Sequence, residues 1–244
     1  MKPTRALAIV AVLALVLSCI PTNPGDKPGW GLFPGATGVN GTGSTPGVLV
    51  LGDSLVFGAN VQTLADMIRF WRGTSAVVAA AGGASFAHFN KATLIGPSGL
   101  ATVQNYVDFF QPLRVTVLAL GSNDARIITG EVSDPYGYRI QEYREQALIA
   151  ASAGLSHSSC VVLINVADHW APVAASSVVA EINAGLAALD AASPRITTHD
   201  WNAWSAPHPD WFAAPNDIHH SPAGQAAYRD FINNAIAAAI GSGC

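Results

Sequence analysis

The chain has 244 residues and a formal net charge of −4; half of its residues are apolar and only 11% are charged. It carries neither the basic stripe that nucleic acid requires nor an acidic tail. Its length fits one domain of about 200 residues with appendages, built on a single sizeable core.

Lys2 and Arg5 form a short basic region ahead of an unbroken apolar run from Ala6 to Leu17. That run is too short to span a bilayer comfortably and has the length of the apolar segment of an export signal. It ends in Val16-Leu17-Ser18-Cys19, which resembles a bacterial lipobox. Residues 1–19 are therefore expected to be a lipoprotein-type signal peptide with Cys19 as the lipidation site. The alternative is ordinary secretion, with Cys19 discarded in the signal; either way the protein is exported. Residues 20–46 are rich in Pro, Gly, Thr and Asn and lack apolar periodicity, so they are expected to form a flexible linker. Residues 47–244 remain as the folded domain.

From Gly47 onward, short apolar runs alternate with helical patterns. The strand candidates are Val48–Leu51, Ala76–Ala80, Val115–Leu120, Cys160–Val166 and Ile196–His199. Most are continuous and β-branched, as parallel strands buried on both faces are. Between them, helices are predicted near Val61–Arg72, Ala101–Phe109, Tyr138–Ala153 and Val178–Ala192. A last helix runs from Pro222 to about Ile240, with Ser221 as N-cap and Pro222 at the first helical position. This alternation predicts an α/β fold, a three-layer α/β/α sandwich around a parallel sheet of about five strands. Ligands of such sheets bind beyond the carboxyl ends of the strands, so the turns that follow the strands carry the interest. With Cys19 set aside, Cys160 and Cys244 are an even pair in a compartment that permits disulfides. The layout carries both to the edge opposite those turns. A buried thiol at Cys160 and a loose tail at Cys244 is the alternative.

Three of those turns hold reactive residue types. Gly52-Asp53-Ser54-Leu55 follows the first strand and offers a serine nucleophile in need of a neighbouring base. The rival motif Gly-x-Ser-x-Gly fails, because position 56 is Val. Gly121-Ser122-Asn123-Asp124 follows the third strand, where an Asn amide can donate to a developing oxyanion; a plain Asn/Asp turn is the alternative. Asn216-Asp217-Ile218-His219-His220-Ser221-Pro222-Ala223-Gly224 leads into the last helix and supplies an imidazole for general-base work.

These blocks, in this order from Gly52 to Gly224, resemble the SGNH (GDSL-type) hydrolase family. The resemblance implies a flavodoxin-like sandwich and a serine esterase, lipase, carbohydrate deacetylase or acyltransferase that needs no cofactor and no metal. It implies Ser54 as nucleophile, with an oxyanion hole of the Ser54 amide, the Asn123 side chain and a backbone donor after the second strand. For that donor, Gly83 is selected over Gly82 and Ser85 in Ala81-Gly82-Gly83-Ala84-Ser85-Phe86. Counting back from the helix cap selects His219 as base; counting from the aspartate, Asp217-x-x-His220, selects His220. With His219, the residue three before is Asn216 rather than an aspartate, so either Asn216 or Asp217 orients the ring. Asp53 and Asp124 are read as turn-stabilising, and His88, His157 and His208 as scattered surface or loop residues.

Trp170, Trp204 and Trp211 fall on the active-site side, as substrate-pocket candidates or as packing for long loops. The expected function is hydrolysis of acyl or acetyl esters on a small molecule, glycan or lipid. The alternatives are acyl transfer to a glycan hydroxyl, since the Trp- and Phe-rich stretch also resembles SGNH domains attached to membrane acyltransferases, and a non-catalytic glycan-binding lipoprotein. Nucleic acid is not an expected partner, and the membrane enters only through the N-terminal lipid anchor.

Overall fold

The computed structural model describes residues 36–40, 47–86, 99–130, 138–169, 173–215 and 217–244. Its sheet holds β1 (Ala36–Asn40), β2 (Val48–Gly52), β3 (Ala76–Ala80), β4 (Leu113–Ala119), β5 (Ser158–Ile164) and β6 (Ile196–His199), in the spatial order β1-β3-β2-β4-β5-β6. The strands from β2 to β6 are mutually parallel. β2 and β3 are buried along their whole length, as strands covered by helices on both faces must be. This is the expected parallel sheet of five strands.

β1 is the addition. It pairs antiparallel to β3, with Ala36 opposite Ala80 and Asn40 opposite Ala76. The stretch expected as linker therefore contains a strand, and the domain reaches at least to Ala36. Ala-Thr-Gly-Val-Asn has no apolar alternation and a central glycine, so only the partner edge of β3 makes it a strand. The signal segment and Cys19 lie outside the described residues.

The helices are α1 (Ser54–Gly58), α2 (Val61–Arg72), α3 (Gly99–Phe110), α4 (Ser122–Gly130), α5 (Tyr138–His157), α6 (Val173–Ala192), α7 (Trp201–Ser205) and α8 (Pro222–Gly241). α2 shows why the pattern was legible. Val61, Leu64, Ala65 and Ile68 form one buried stripe at helical spacing. The Asn60 side chain caps the helix by accepting from the Thr63 N–H at 3.0 Å, and Gly73 closes it. Burying each large side chain of that stripe contributes about 1.5–3 kcal/mol. α2 and α8 pack on each other and form one outer layer; α3, α5 and α6 pack successively to form the other.

Cys160 and Cys244 form a disulfide, their Cα atoms 5.6 Å apart across 84 residues of sequence. It ties the far end of α8 to β5. Closing a loop of that length removes unfolded-chain entropy equivalent to about 4 kcal/mol. Among the described residues, no helix is long and apolar enough to cross a membrane.

Candidate active site

The register of the sheet brings three turns into line. Gly52 at the end of β2 lies opposite Ala80 of β3 on one side and Ala119 of β4 on the other. Parallel neighbours are about 4.8 Å apart, so the segments bearing Ser54, Gly83 and Asn123 leave the sheet side by side.

Each turn is locked by its own hydrogen bonds. Asp53 caps α1, its Oδ1 accepting the Leu55 N–H at 2.9 Å, which sets Ser54 at the first turn, half-buried. The Ala81 N–H donates to the Gly52 carbonyl at 3.2 Å and stitches the β3 turn to the β2 end. Within that turn Gly83 takes φ 78°, a left-handed conformation that favours glycine. Asn123 is buried, and its Nδ2 donates to the Ala84 carbonyl at 3.0 Å. An amide nitrogen carries two hydrogens, and this bond to Ala84 uses one of them. Asp124 is fully buried and accepts the Phe86 N–H at 3.0 Å. Asp53 and Asp124 thus hold the turns, as the sequence suggests.

The histidine turn reaches the same edge by another route. Ser221 caps α8, its Oγ accepting the Gly224 N–H at 3.3 Å and donating to the Asp210 carbonyl at 2.7 Å. Gly224 must be glycine, because a Cβ there would collide with the Trp211 carbonyl. Arg229 donates to the Ala59 carbonyl at 2.8 Å, and Asp53 acts electrostatically on Tyr228. The start of α8 is therefore docked beside α1. The Ala213 N–H donates to the His219 carbonyl at 2.8 Å, and Phe212 bridges His220.

The two adjacent histidines have opposite surroundings. His219 is half exposed, and its Nδ1 lies 2.8 Å from Asp217 Oδ1, which also accepts the His219 backbone N–H at 2.9 Å. Those bonds hold the Asp217 carboxyl below its usual range. His220 is only 5% exposed and neither ring nitrogen has a partner. It sits among Trp201, Phe212 and Tyr228, with ring centroids 5.2, 5.3 and 4.9 Å away. Burial, then the His219 and His169 charges, pushes its pKa down to about 4. The aspartate that meets an imidazole stands two residues before it, not three. Asn216 lies outside the described residues.

No family model matches the sequence, and no curated protein sequence matches it. Solved structures do. The chain is similar to the C-terminal catalytic domain of peptidoglycan O-acetyltransferase A from Streptococcus pneumoniae, solved with a methylsulfonyl adduct: 19% identity, TM-score 0.56, covering 81% of this chain and 96% of that one. It is similar to a GDSL-like lipase from Bacteroides thetaiotaomicron at 15% identity and TM-score 0.56, covering 81% of this chain and 88% of that one. A carbohydrate acetylesterase family member from Sinorhizobium meliloti aligns at 14% identity and TM-score 0.58, covering 80% and 99%. The fold is that of the SGNH hydrolases.

On this SGNH fold the tryptophans are engaged with one another. Trp201 is 1% exposed and packs against Tyr228 and Phe231. His208 stacks on Trp211 at 3.9 Å and 9°, and Trp211 runs nearly parallel to Trp201. Trp204 rests on Trp211 and Phe231 but keeps 43% exposure. Packing accounts for Trp211, and Trp204 stays open to contact. Trp170 and His88 lie outside the described residues. His157 pairs with Asp108 at 2.9 Å.

One side chain on this edge was not singled out by the sequence. Phe57 stands one turn after Ser54 on α1 and is 52% exposed. The signal for it was Asp53 as an N-cap; a five-residue helix shows no periodicity. His169 follows β5 and meets Phe212 edge-on at 4.1 Å. Burial lowers its pKa, with Asp168 opposing.

Proposed function

We propose that this chain is an exported serine esterase that hydrolyses acyl or acetyl esters through an acyl-enzyme on Ser54. The observation that carries the reading is the His219–Asp217 hydrogen bond, made by a half-exposed imidazole on the edge that also bears Ser54. A carboxylate on Nδ1 fixes the tautomer with Nε2 free to accept a proton, and stabilises the imidazolium that forms.

Ser54 Oγ bonds to the ester carbonyl carbon while His219 Nε2 takes the hydroxyl proton, and the carbonyl π pair moves onto oxygen. The Ser54 and Gly83 amides and the second Asn123 amide hydrogen receive that oxyanion. Collapse breaks the bond to the alcohol, which leaves with the proton from His219. Water, deprotonated by the same imidazole, then attacks the acyl-enzyme and frees the acid and Ser54. His220 acts in this scheme as the buried anchor of the turn, not as the base.

Acylated glycans and lipids of the cell envelope are the substrate class that fits an exported enzyme. Acyl transfer to a sugar hydroxyl differs only in the second nucleophile; likeness to an O-acetyltransferase catalytic domain favours keeping it as the second reading. The test is a fluorophosphonate adduct mapped by mass spectrometry, together with turnover of a chromogenic acetate ester. One stoichiometric adduct on Ser54, and no turnover by Ser54→Ala, is expected. An adduct elsewhere, or undiminished turnover, would overturn the reading, and acylated acceptor in excess of free acid would assign transfer.

A further inference from the structure

α2 ends in Arg69-Phe70-Trp71-Arg72, and neither aromatic belongs to its buried stripe. Phe70 is 76% and Trp71 63% exposed, and the two rings touch edge to face at 4.8 Å. Aromatic side chains bury about 150–250 Å² each when they have a partner, so an adjacent exposed pair leaves a large apolar area in water. Both flanking arginines are tethered at the helix end, Arg69 to the Gly73 carbonyl at 3.3 Å and Arg72 to Asn233 at 3.2 Å. Each keeps further guanidinium donors, in a planar fork that matches phosphate oxygens. Exposed apolar rings flanked in sequence by two arginines complement an anionic bilayer surface, where rings enter the acyl boundary and the cations meet phosphate.

We propose that Phe70 and Trp71, with Arg69 and Arg72, form a docking surface for an anionic lipid bilayer that holds the catalytic edge away from the membrane. The topology sets that orientation. α2 begins just beyond the Ser54 turn and runs about 18 Å toward the amino ends of the strands, where Gly47 donates to the Ser75 carbonyl at 2.9 Å. The aromatic pair therefore lies at the end of the sheet opposite the turns that carry Ser54 and Asn123. If Cys19 is lipidated as the sequence suggests, the tether length is compatible: a chain as long as residues 20–35 reaches at most about 55 Å, enough to join a bilayer at the opposite end of the sheet to Ala36, which lies beside Ala80 at the upper edge. The docking stands apart from the esterase reading; the consequence rests on it. A site facing outward is offered to envelope glycans rather than to the lipids of the same bilayer.

The test is tryptophan fluorescence of the full chain reconstituted into vesicles of phosphatidylglycerol and phosphatidylcholine with brominated acyl chains. A quenched component that disappears in Trp71→Phe, and falls at least twofold in Arg69→Gln/Arg72→Gln or in vesicles of phosphatidylcholine alone, is expected. Identical quenching in wild type and Trp71→Phe would overturn the proposal, as would quenching indifferent to phosphatidylglycerol and to the arginines. A dimer in sedimentation that Phe70→Ser/Trp71→Ser abolishes would assign the surface to a second copy instead. Turnover of a soluble ester, read on the same samples, should be unchanged in Trp71→Phe. Absence of turnover in every sample would defeat the esterase reading and leave the quenching result standing.

Discussion

The turns that carry Ser54, Gly83 and Asn123 and the turn that carries His219 lie at one edge of the sheet but are held by opposite means. Around Ser54, Gly83 and Asn123 the supports are polar and buried: Asp53 and Asp124 accept backbone N–H groups, and Asn123 is pinned to Ala84. Around His219 the support is apolar, since its neighbour His220 is packed among aromatic rings while the His219–Asp217 pair itself stays half in solvent. Oxyanion donors act best when fixed in advance, and a buried hydrogen-bonded network fixes them. In the proposed mechanism the imidazole accepts and returns protons and so needs access, which suits a position set through the residue beside it.

The largest effect separates the two histidines. His219→Ala is expected to lower kcat of a chromogenic ester by roughly 10⁴-fold with little change in melting temperature. His220→Ala should keep the chemistry and instead cost stability, about 2–3 kcal/mol in urea unfolding, by opening a hole in the aromatic packing. The reverse pattern would break the comparison. Next comes Asp53, whose pKa burial raises from 3.8 to about 7, with the Asp124 charge adding and the Leu55 and Ser122 hydrogen bonds opposing. The folded state holds this proton more tightly than the unfolded chain. Its contribution is therefore full below about pH 4 and is lost as pH rises through about 7, amounting to about 4 kcal/mol at 1.36 kcal/mol per pH unit. Urea unfolding of Asp53→Asn, which still caps a helix, should lack that decline.

Asn123→Ala should reduce kcat by about 10²- to 10³-fold, roughly 3 kcal/mol, with KM nearly unchanged. The smallest effect concerns His220, a base whose pKa falls from 6.5 to about 4 on folding. Its contribution is full above about pH 6.5 and is lost as pH falls through about 4, about 3 kcal/mol. His220→Phe removes two unpartnered buried nitrogens, so unfolding at pH 4 and pH 7 should show a flatter profile and no loss of stability at neutral pH.

Much of this was legible in the sequence. The continuous apolar runs marked the five parallel strands, because burial on both faces leaves little choice of residue, and the stripe of α2 marked its helix. Ser221-Pro222 placed the start of α8. β1 escaped because its five residues gain their conformation from β3 rather than from their own pattern. α1 and α7, of five residues each, are too short for periodicity. In the site, the turns after the first and third predicted strands made Ser54 and Asn123 candidates and the family resemblance added Gly83; the sheet register sets those three turns side by side. The histidine register stayed open because two counts disagreed. Only three-dimensional surroundings distinguish an imidazole in solvent beside Asp217 from one sealed among rings. The choice between Asn216 and Asp217 as the partner of His219 was open for the same reason, since a carboxylate two residues away reaches the ring only when the turn bends back on itself.

The outer edge of β6 has a consequence for the protein at high concentration. An uncovered strand invites pairing with a second chain, yet β6 offers only four residues, and the Thr198 N–H is already bonded at 2.6 Å to the Asp190 carboxylate. An incoming strand would have to displace that carboxylate and would gain a ladder barely one turn of pleat long. On this side the sheet is guarded against growing into aggregates.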